Sequence, residues 1–196
     1  MQESILVVPR TAIIADPSEA WHGIKNIDAH LCMNLIQANQ QYHPRAIMET
    51  DRAFKQIIPY LVYLFDGNLF VMQRRQQATE QRLAGKLTIG IGGHMRQEDM
   101  QGKSIIAWAE RELQEEVAIA DPYNIELLGM LNDDTNDVGY LHLGLVLLLH
   151  GSSDRIAVRS ELKSGRLMSL PECFAEFSAF ETWSQLVLQQ LAAKNR

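Results

Sequence analysis

The chain has 196 residues, 46% of them apolar, enough for a buried core and too many for a disordered segment. Its net charge is -6, from 18 basic and 24 acidic residues, which argues against a nucleic-acid polymer as partner, since that requires a broad basic face. A small anionic ligand stays open, because a bound cation reverses the local sign.

Met1-Gln2-Glu3-Ser4-Ile5 has no basic segment running into an apolar one, so no signal peptide is read. Ile5 to Val8 and Ala12 to Ile14 read as short strands around Pro9. A helix follows from about Asp28, its cap, with Leu31, Leu35 and Ile36 at helical spacing. Tyr42 to Phe54 is polar and broken by Pro44, which places a boundary between an N-terminal extension, residues 1–56, and a main domain, residues 57–196.

Two apolar runs, Ile57 to Phe65 and Leu69 to Met72, flank Asp66-Gly67-Asn68 and predict a hairpin. A polar loop from Gln73 to Gly85 carries Arg74, Arg75 and Arg82, with Lys86 just beyond. Leu87 to Gly93 is a strand that runs into a glycine pair. Ser104 to Val117 has helix character: Ser104 is the cap, and Ile105, Ala109, Leu113 and Val117 recur every fourth residue. Ile125 to Leu131 and Gly139 to Leu149 are strands about the acidic loop Asn132 to Val138. The apolar Leu141 to Leu149 is about half the length that spans a bilayer, so no membrane segment is read. Pro171 opens a short helix, and the last helix buries Phe180, Trp183, Val187 and Leu191. Strands and helices in this order predict an α/β domain with a mixed sheet. Cys32 and Cys173 have no metal-ligand spacing and read as reduced thiols of a cytoplasmic protein.

The chemistry sits in Ala109-Glu110-Arg111-Glu112-Leu113-Gln114-Glu115-Glu116-Val117. On a helix, Glu112, Glu115 and Glu116 project from one side and repel by a few tenths of a kcal/mol per pair. A divalent cation removes that repulsion and accepts carboxylate oxygens. Charge runs are most often just solvated faces. Here the run follows a strand that ends in glycines, which brings backbone N–H groups and carboxylates into one stretch and suits a phosphate-bearing ligand.

These residues resemble the Nudix box, G-x5-E-x7-R-E-U-x-E-E-x-G-U, where U is bulky and aliphatic. Gly93, the complete Arg111-Glu112-Leu113-Gln114-Glu115-Glu116 and Ile119 match it. The preceding hairpin, the later strands and the closing segment (Glu161, Gly165, Leu167 to Leu170, then a helix with Trp183) match the family's order, so that the likeness runs from about Ile57 to Leu191. Three positions depart. Gly93 to Arg111 is four residues longer than the pattern, the first box glutamate falls on Lys103, and the box glycine on Ala118. Such changes resemble a divergent branch with a longer Gly-Gly-His loop. Glu98, inside that loop, is the candidate replacement for the absent carboxylate.

The resemblance implies a Nudix-like α/β/α sandwich and a hydrolase for a small diphosphate-containing substrate. Glu112, Glu115 and Glu116 become ligands of Mg²⁺ or Mn²⁺, with Arg111 orienting their carboxylates. Gly92 and Gly93 let the backbone turn closely beside that site, and His94, Arg74 and Lys103 are the candidate substrate contacts. The general base is open among Glu116, Glu98, Asp133, Asp134, Asp137 and Glu161. His142 reads as a sheet-facing residue and Trp108 as packing. Three other readings are a nucleotide-binding sensor without activity, a purely structural domain, and the isomerase branch, which needs a cysteine and a glutamate across the substrate. The apolar helix of the extension further predicts a homodimer.

Overall fold

The computed structural model describes residues 3–74, 85–100, 104–159 and 162–194. In chain order its elements are β1 (Ser4–Pro9), α1 (Arg10–Ile13), β2 (Gly23–Lys25), α2 (Ala29–Asn39), β3 (Gln41–Pro44), α3 (Arg45–Met48), β4 (Phe54–Phe65), β5 (Asn68–Arg74), β6 (Leu87–Thr88), β7 (Gly90–Gly92), α4 (Ile105–Glu116), β8 (Val117–Ile119), β9 (Tyr123–Asn132), α5 (Asp137–Leu141), β10 (His142–Gly151), β11 (Ile156–Val158), β12 (Leu162–Ser169), α6 (Leu170–Ala175) and α7 (Thr182–Lys194). This is the α/β class with a mixed sheet that the sequence predicts. Among the described residues no helix is long and apolar enough to cross a membrane.

The chain forms two compact units, each gathered from three stretches. The first comprises Met1–Tyr60, Gly92–Ala109 and Leu127–Val146. Here β1 lies antiparallel between β3 (Leu6↔Tyr42) and β4 (Val7↔Gln56), and β2 pairs antiparallel with β9 (Gly23↔Asn132). Ile5, Val7 and Met48 form a buried cluster with Phe54 packed on it. Asp28 caps α2 as predicted, accepting from the amides of His30 and Leu31 at 2.9 and 3.1 Å.

Two predicted strands in this unit give way to helical turns. After Pro9, which has no N–H for a ladder, Arg10–Ile13 coils in place of the strand read over 12–14, and the Ile14 amide donates to the Arg10 carbonyl. The strand read from Gly139 begins instead at His142. Asn136 caps α5 by accepting from the Gly139 amide at 2.9 Å, and a Cβ on Gly139 would meet the Asp133 carbonyl oxygen at 2.0 Å.

The second unit comprises Leu61–Ile91, Glu110–Glu126 and Leu147–Arg196. The hairpin of β4 and β5 turns on Asp66 and Gly67, with φ of 48° and 73°, and its register is Leu64↔Leu69 and Phe65↔Asn68. Two positive φ values in a two-residue loop give the turn whose twist suits antiparallel strands. β12 pairs antiparallel with the other edge of β5, and β8 with β11 makes a separate two-stranded sheet. Ser169 and Glu172 form a capping box at the start of α6. Val187 and Leu191 of α7 and the preceding Phe180 are buried as predicted, whereas Trp183 is only half-buried: it stands in the first turn of α7, where its amide is bound by the Glu181 carboxylate at 2.8 Å.

Candidate functional site

The glutamates lie on the last turns of α4, within the second unit. Leu113, 2% exposed, holds the apolar side of the helix in the core and fixes which residues face outward. Arg111 reaches both ways from the polar side: its Nη2 donates to Glu112 Oε1 at 2.6 Å, and its Nη1 to Glu115 Oε1 one turn on. One guanidinium therefore draws two carboxylates together. Glu112 is 22% exposed and Glu115 58%, so the first is the better shielded of the pair. Glu116 ends the helix half-buried, and its carbonyl accepts from the Arg159 amide at 2.7 Å. Tyr123 donates its hydroxyl to Glu110 at 3.3 Å, which ties that further carboxylate to β9.

These donors are all carboxylate oxygens, the ligand type that Mg²⁺ and Mn²⁺ take. Among the described residues, no three His, Cys, Asp or Glu side chains already stand as a metal cage. Arg111 supplies the positive charge between Glu112 and Glu115, so a cation there would compete with it. The donor chemistry fits a hard divalent ion, and the arginine sets what that ion must displace.

Gly92, Gly93 and His94 lie in the first unit. A Cβ on Gly92 would stand 2.4 Å from the Pro59 carbonyl oxygen, so glycine is required there by the close approach of β4. His94 Nε2 lies 3.1 Å from His142 Nε2, and His142 Nδ1 lies 2.6 Å from the Val138 carbonyl. Burial first, then the charge of Arg45 and the neighbouring His142, pull the His94 imidazole down to about 3. His142 is buried at the start of β10, and Trp108 packs at 1% exposure. Ser104 accepts from the Ala107 amide at 3.1 Å, which makes it the cap of α4.

The same unit holds an ionic cluster whose members the sequence did not single out together. Lys55 is fully buried on β4, and its Nζ donates to Asp134 Oδ1 (2.9 Å) and to the carbonyls of Gly139 (3.0 Å) and His142 (3.2 Å). Burial lowers its ammonium to about 8, against the opposing pull of Asp134. Arg10 binds the same carboxylate at 2.5 and 3.2 Å and lies over the Tyr140 ring at 4.1 Å. A lone lysine just ahead of an apolar run was the available signal, since such a residue needs partners to be buried.

The cluster accounts for several candidate bases. Asp134 serves Arg10 and Lys55. Asp133, fully buried, holds Thr135 and Asn136, while Asp137 pairs with Arg52 at 2.6 Å. Glu98 is exposed in the 3-10 turn Gln97–Asp99. Lys103, Arg75, Arg82 and Glu161 lie outside the described residues, and Arg74 closes β5. Both cysteines are fully buried, with burial pushing each thiol up to about 11, and a thiol without exposure does not meet a substrate as the isomerase reading requires.

No protein-family profile matches the chain. Protein YmaB of Bacillus subtilis (strain 168) is 32% identical over 205 residues, which covers 97% of this chain and 98% of YmaB. Among solved structures, Tm1382, a candidate Nudix hydrolase, matches with a TM-score of 0.81 at 26% identity, over 96% of this chain and 98% of its own. A Nudix hydrolase from Nitrosomonas europaea shares the fold, with a TM-score of 0.54 at 20% identity over 72% of this chain and 91% of that one. So does the Nudix domain of Shewanella oneidensis NrtR, complexed with ADP-ribose, with a TM-score of 0.54 at 15% identity over 72% of this chain and 89% of that one. With the Arg-Glu-Leu-Gln-Glu-Glu helix in place and two relatives matching nearly end to end, the chain belongs to the Nudix superfamily.

Proposed function

We propose that the chain is a cytoplasmic, divalent-cation-dependent Nudix hydrolase that cleaves the diphosphate of a nucleoside diphosphate joined to another group. The observation that carries this reading is the pair of carboxylates, Glu112 and Glu115, gathered by Arg111 one turn from the end of α4, with Glu116 following. Those three glutamates would hold Mg²⁺ or Mn²⁺. A cation bound there supplies neutralising charge to the diphosphate and makes a water more acidic.

The chain's own groups do the rest. Arg111 orients Glu112 and Glu115 through charge-assisted hydrogen bonds. The water oxygen attacks one phosphorus, the bridging P–O bond breaks, and its electrons leave with the second phosphate. The water's proton passes to a carboxylate, and Glu116 is the candidate on α4. Gly92, Gly93, His94, Arg74 and Lys103 are assigned to substrate binding.

A second reading, a sensor that binds without cleaving, draws on Lys103 at the position of the first box glutamate. The deciding experiment incubates the protein with nucleotide sugars, dinucleoside polyphosphates, ADP-ribose, NADH, coenzyme A and nucleoside triphosphates, with Mg²⁺ or with EDTA. Mass spectrometry reads the products, and thermal unfolding reads cation binding. The expected result is cleavage of one compound that EDTA stops and Glu116→Gln slows by about 10²–10⁴-fold. Mg²⁺ should raise the unfolding temperature of the wild type more than that of Glu116→Gln. Binding without turnover across the panel selects the sensor, and no Mg²⁺ effect of either kind rejects the metal-dependent reading.

A further inference from the structure

His94 and His142 meet with ring planes inclined at 62° and Nε2 atoms 3.1 Å apart. Two imidazole nitrogens at that distance share one hydrogen, so one donates and the other accepts. The far nitrogen of His142 decides which. Its Nδ1 lies 2.6 Å from the Val138 carbonyl oxygen, which can only accept, so that Nδ1 carries hydrogen. In a neutral His142 the Nε2 is then the acceptor, and His94 must donate from its own Nε2. This leaves His94 Nδ1 with a lone pair and, among the described residues, no hydrogen-bond partner.

The surroundings hold this arrangement still. Val138 belongs to α5, whose Gly139 amide is capped by Asn136 and whose Gly139 carbonyl is bound by the buried Lys55 Nζ. The same Nζ binds the carbonyl of His142 itself at 3.2 Å. The His142 ring is therefore fixed from both its backbone and its Nδ1 side. Burial and the nearby Arg45 charge keep His94 neutral, in agreement with the single shared hydrogen.

We propose that His142 is a positioning residue that locks His94 in its Nε2–H form, so that His94 offers Nδ1 as an acceptor to a hydroxyl of the substrate and not as a donor to phosphate. The proposal rests on the hydrolase reading, in which His94, directly after Gly92 and Gly93, touches the substrate. Against a phosphate oxygen, the bare nitrogen sets lone pair against lone pair. Against a hydroxyl it completes a hydrogen bond. The sugar hydroxyls of a nucleoside or glycosyl group provide such a donor, which fully deprotonated, Mg²⁺-bound pyrophosphate lacks.

Long-range proton–nitrogen spectra of the full chain, labelled with ¹⁵N at histidine, read both tautomers without any ligand. The expected result at pH 7 is hydrogen on Nε2 of His94 and on Nδ1 of His142. Hydrogen on Nδ1 of His94, or an imidazolium at either ring, overturns the proposal whatever the chain hydrolyses. His142→Ala should let His94 populate its other tautomer, while His142→Gln, whose Oε1 accepts, should keep the native one. A His94 tautomer unaltered by His142→Ala shows that His142 positions nothing. Adding ADP-ribose with Mg²⁺ should shift the Nδ1 resonance of His94, and pyrophosphate with Mg²⁺ should leave it in place. An equal response to both, or to neither, overturns the hydroxyl assignment. Native tautomers with no metal-dependent turnover of any compound would reject the hydrolase reading instead.

Discussion

Asp134 shows how one carboxylate can be held as a structural part. Burial pushes its carboxyl up, yet hydrogen bonds from Arg10 and Lys55 outweigh that and hold it down at about 2. Between that value and the ordinary 3.8, the unfolded chain takes up the proton and the folded chain does not. Stability from this group is therefore complete above about pH 4 and lost as pH falls toward 2, with a total on the order of 2 kcal/mol. Denaturant midpoints measured across that range should drop steeply for the wild type and flatten in Asp134→Asn. At pH 7 the same variant should lose on the order of 2–3 kcal/mol, because Lys55 stays buried without its anion. By residue type alone, Asp134 stands among the candidate bases. Only the distant Arg10 and Lys55 reveal its employment, and no local pattern carries that information.

At the scale of elements, legibility follows the strength of local signals. The hairpin is readable because Asp66-Gly67 is a turn chemistry that few other sequences supply. Gly67, with φ of 73° and open space where a Cβ would point, is needed for its backbone angle and not for room. Gly67→Ala should therefore destabilise by about 1 kcal/mol, read as a lower denaturant midpoint with an unchanged slope. The caps at Asp28 and Ser104, and the buried side of α4, are equally plain, since each lies within one or two turns of what it controls. The strands Gly23–Lys25, Val117–Ile119 and Ile156–Val158 are three residues each, too short for an alternating pattern to emerge. The turn at Arg10–Ile13 reads as a strand in sequence because its apolar content is right for either form, and the ladder ended by Pro9 decides it. In the candidate site, Arg111 and the glutamates are legible from spacing. The pairing of His94 with His142, 48 positions apart, is not.

For the molecule as a whole, the relatives differ in how much of the chain they match. YmaB and Tm1382 match 97% and 96% of the chain, whereas the two Nudix folds at a TM-score of 0.54 match 72%. We propose residues 1–56 as an N-terminal extension. We propose that it also carries a homodimer contact through α2, whose Leu31 is 64% exposed while Cys32 and Ile36 turn inward. Light scattering should give twice the chain mass of 22.2 kDa, and Leu31→Asp should return the single-chain value. A wild type at the single-chain mass would reject the contact.

The threading of each unit from three separate stretches has a consequence for synthesis. The first unit needs residues through Val146, and the second draws on the stretch from Leu147 onward. A nascent chain released at residue 126 would hold neither in full. Its β4, with Ile57, Leu61 and Val62 made for full burial, would meet solvent before β10 had been translated. Until the last third is synthesised, the polypeptide thus exposes apolar strand surface of the kind that chaperones bind.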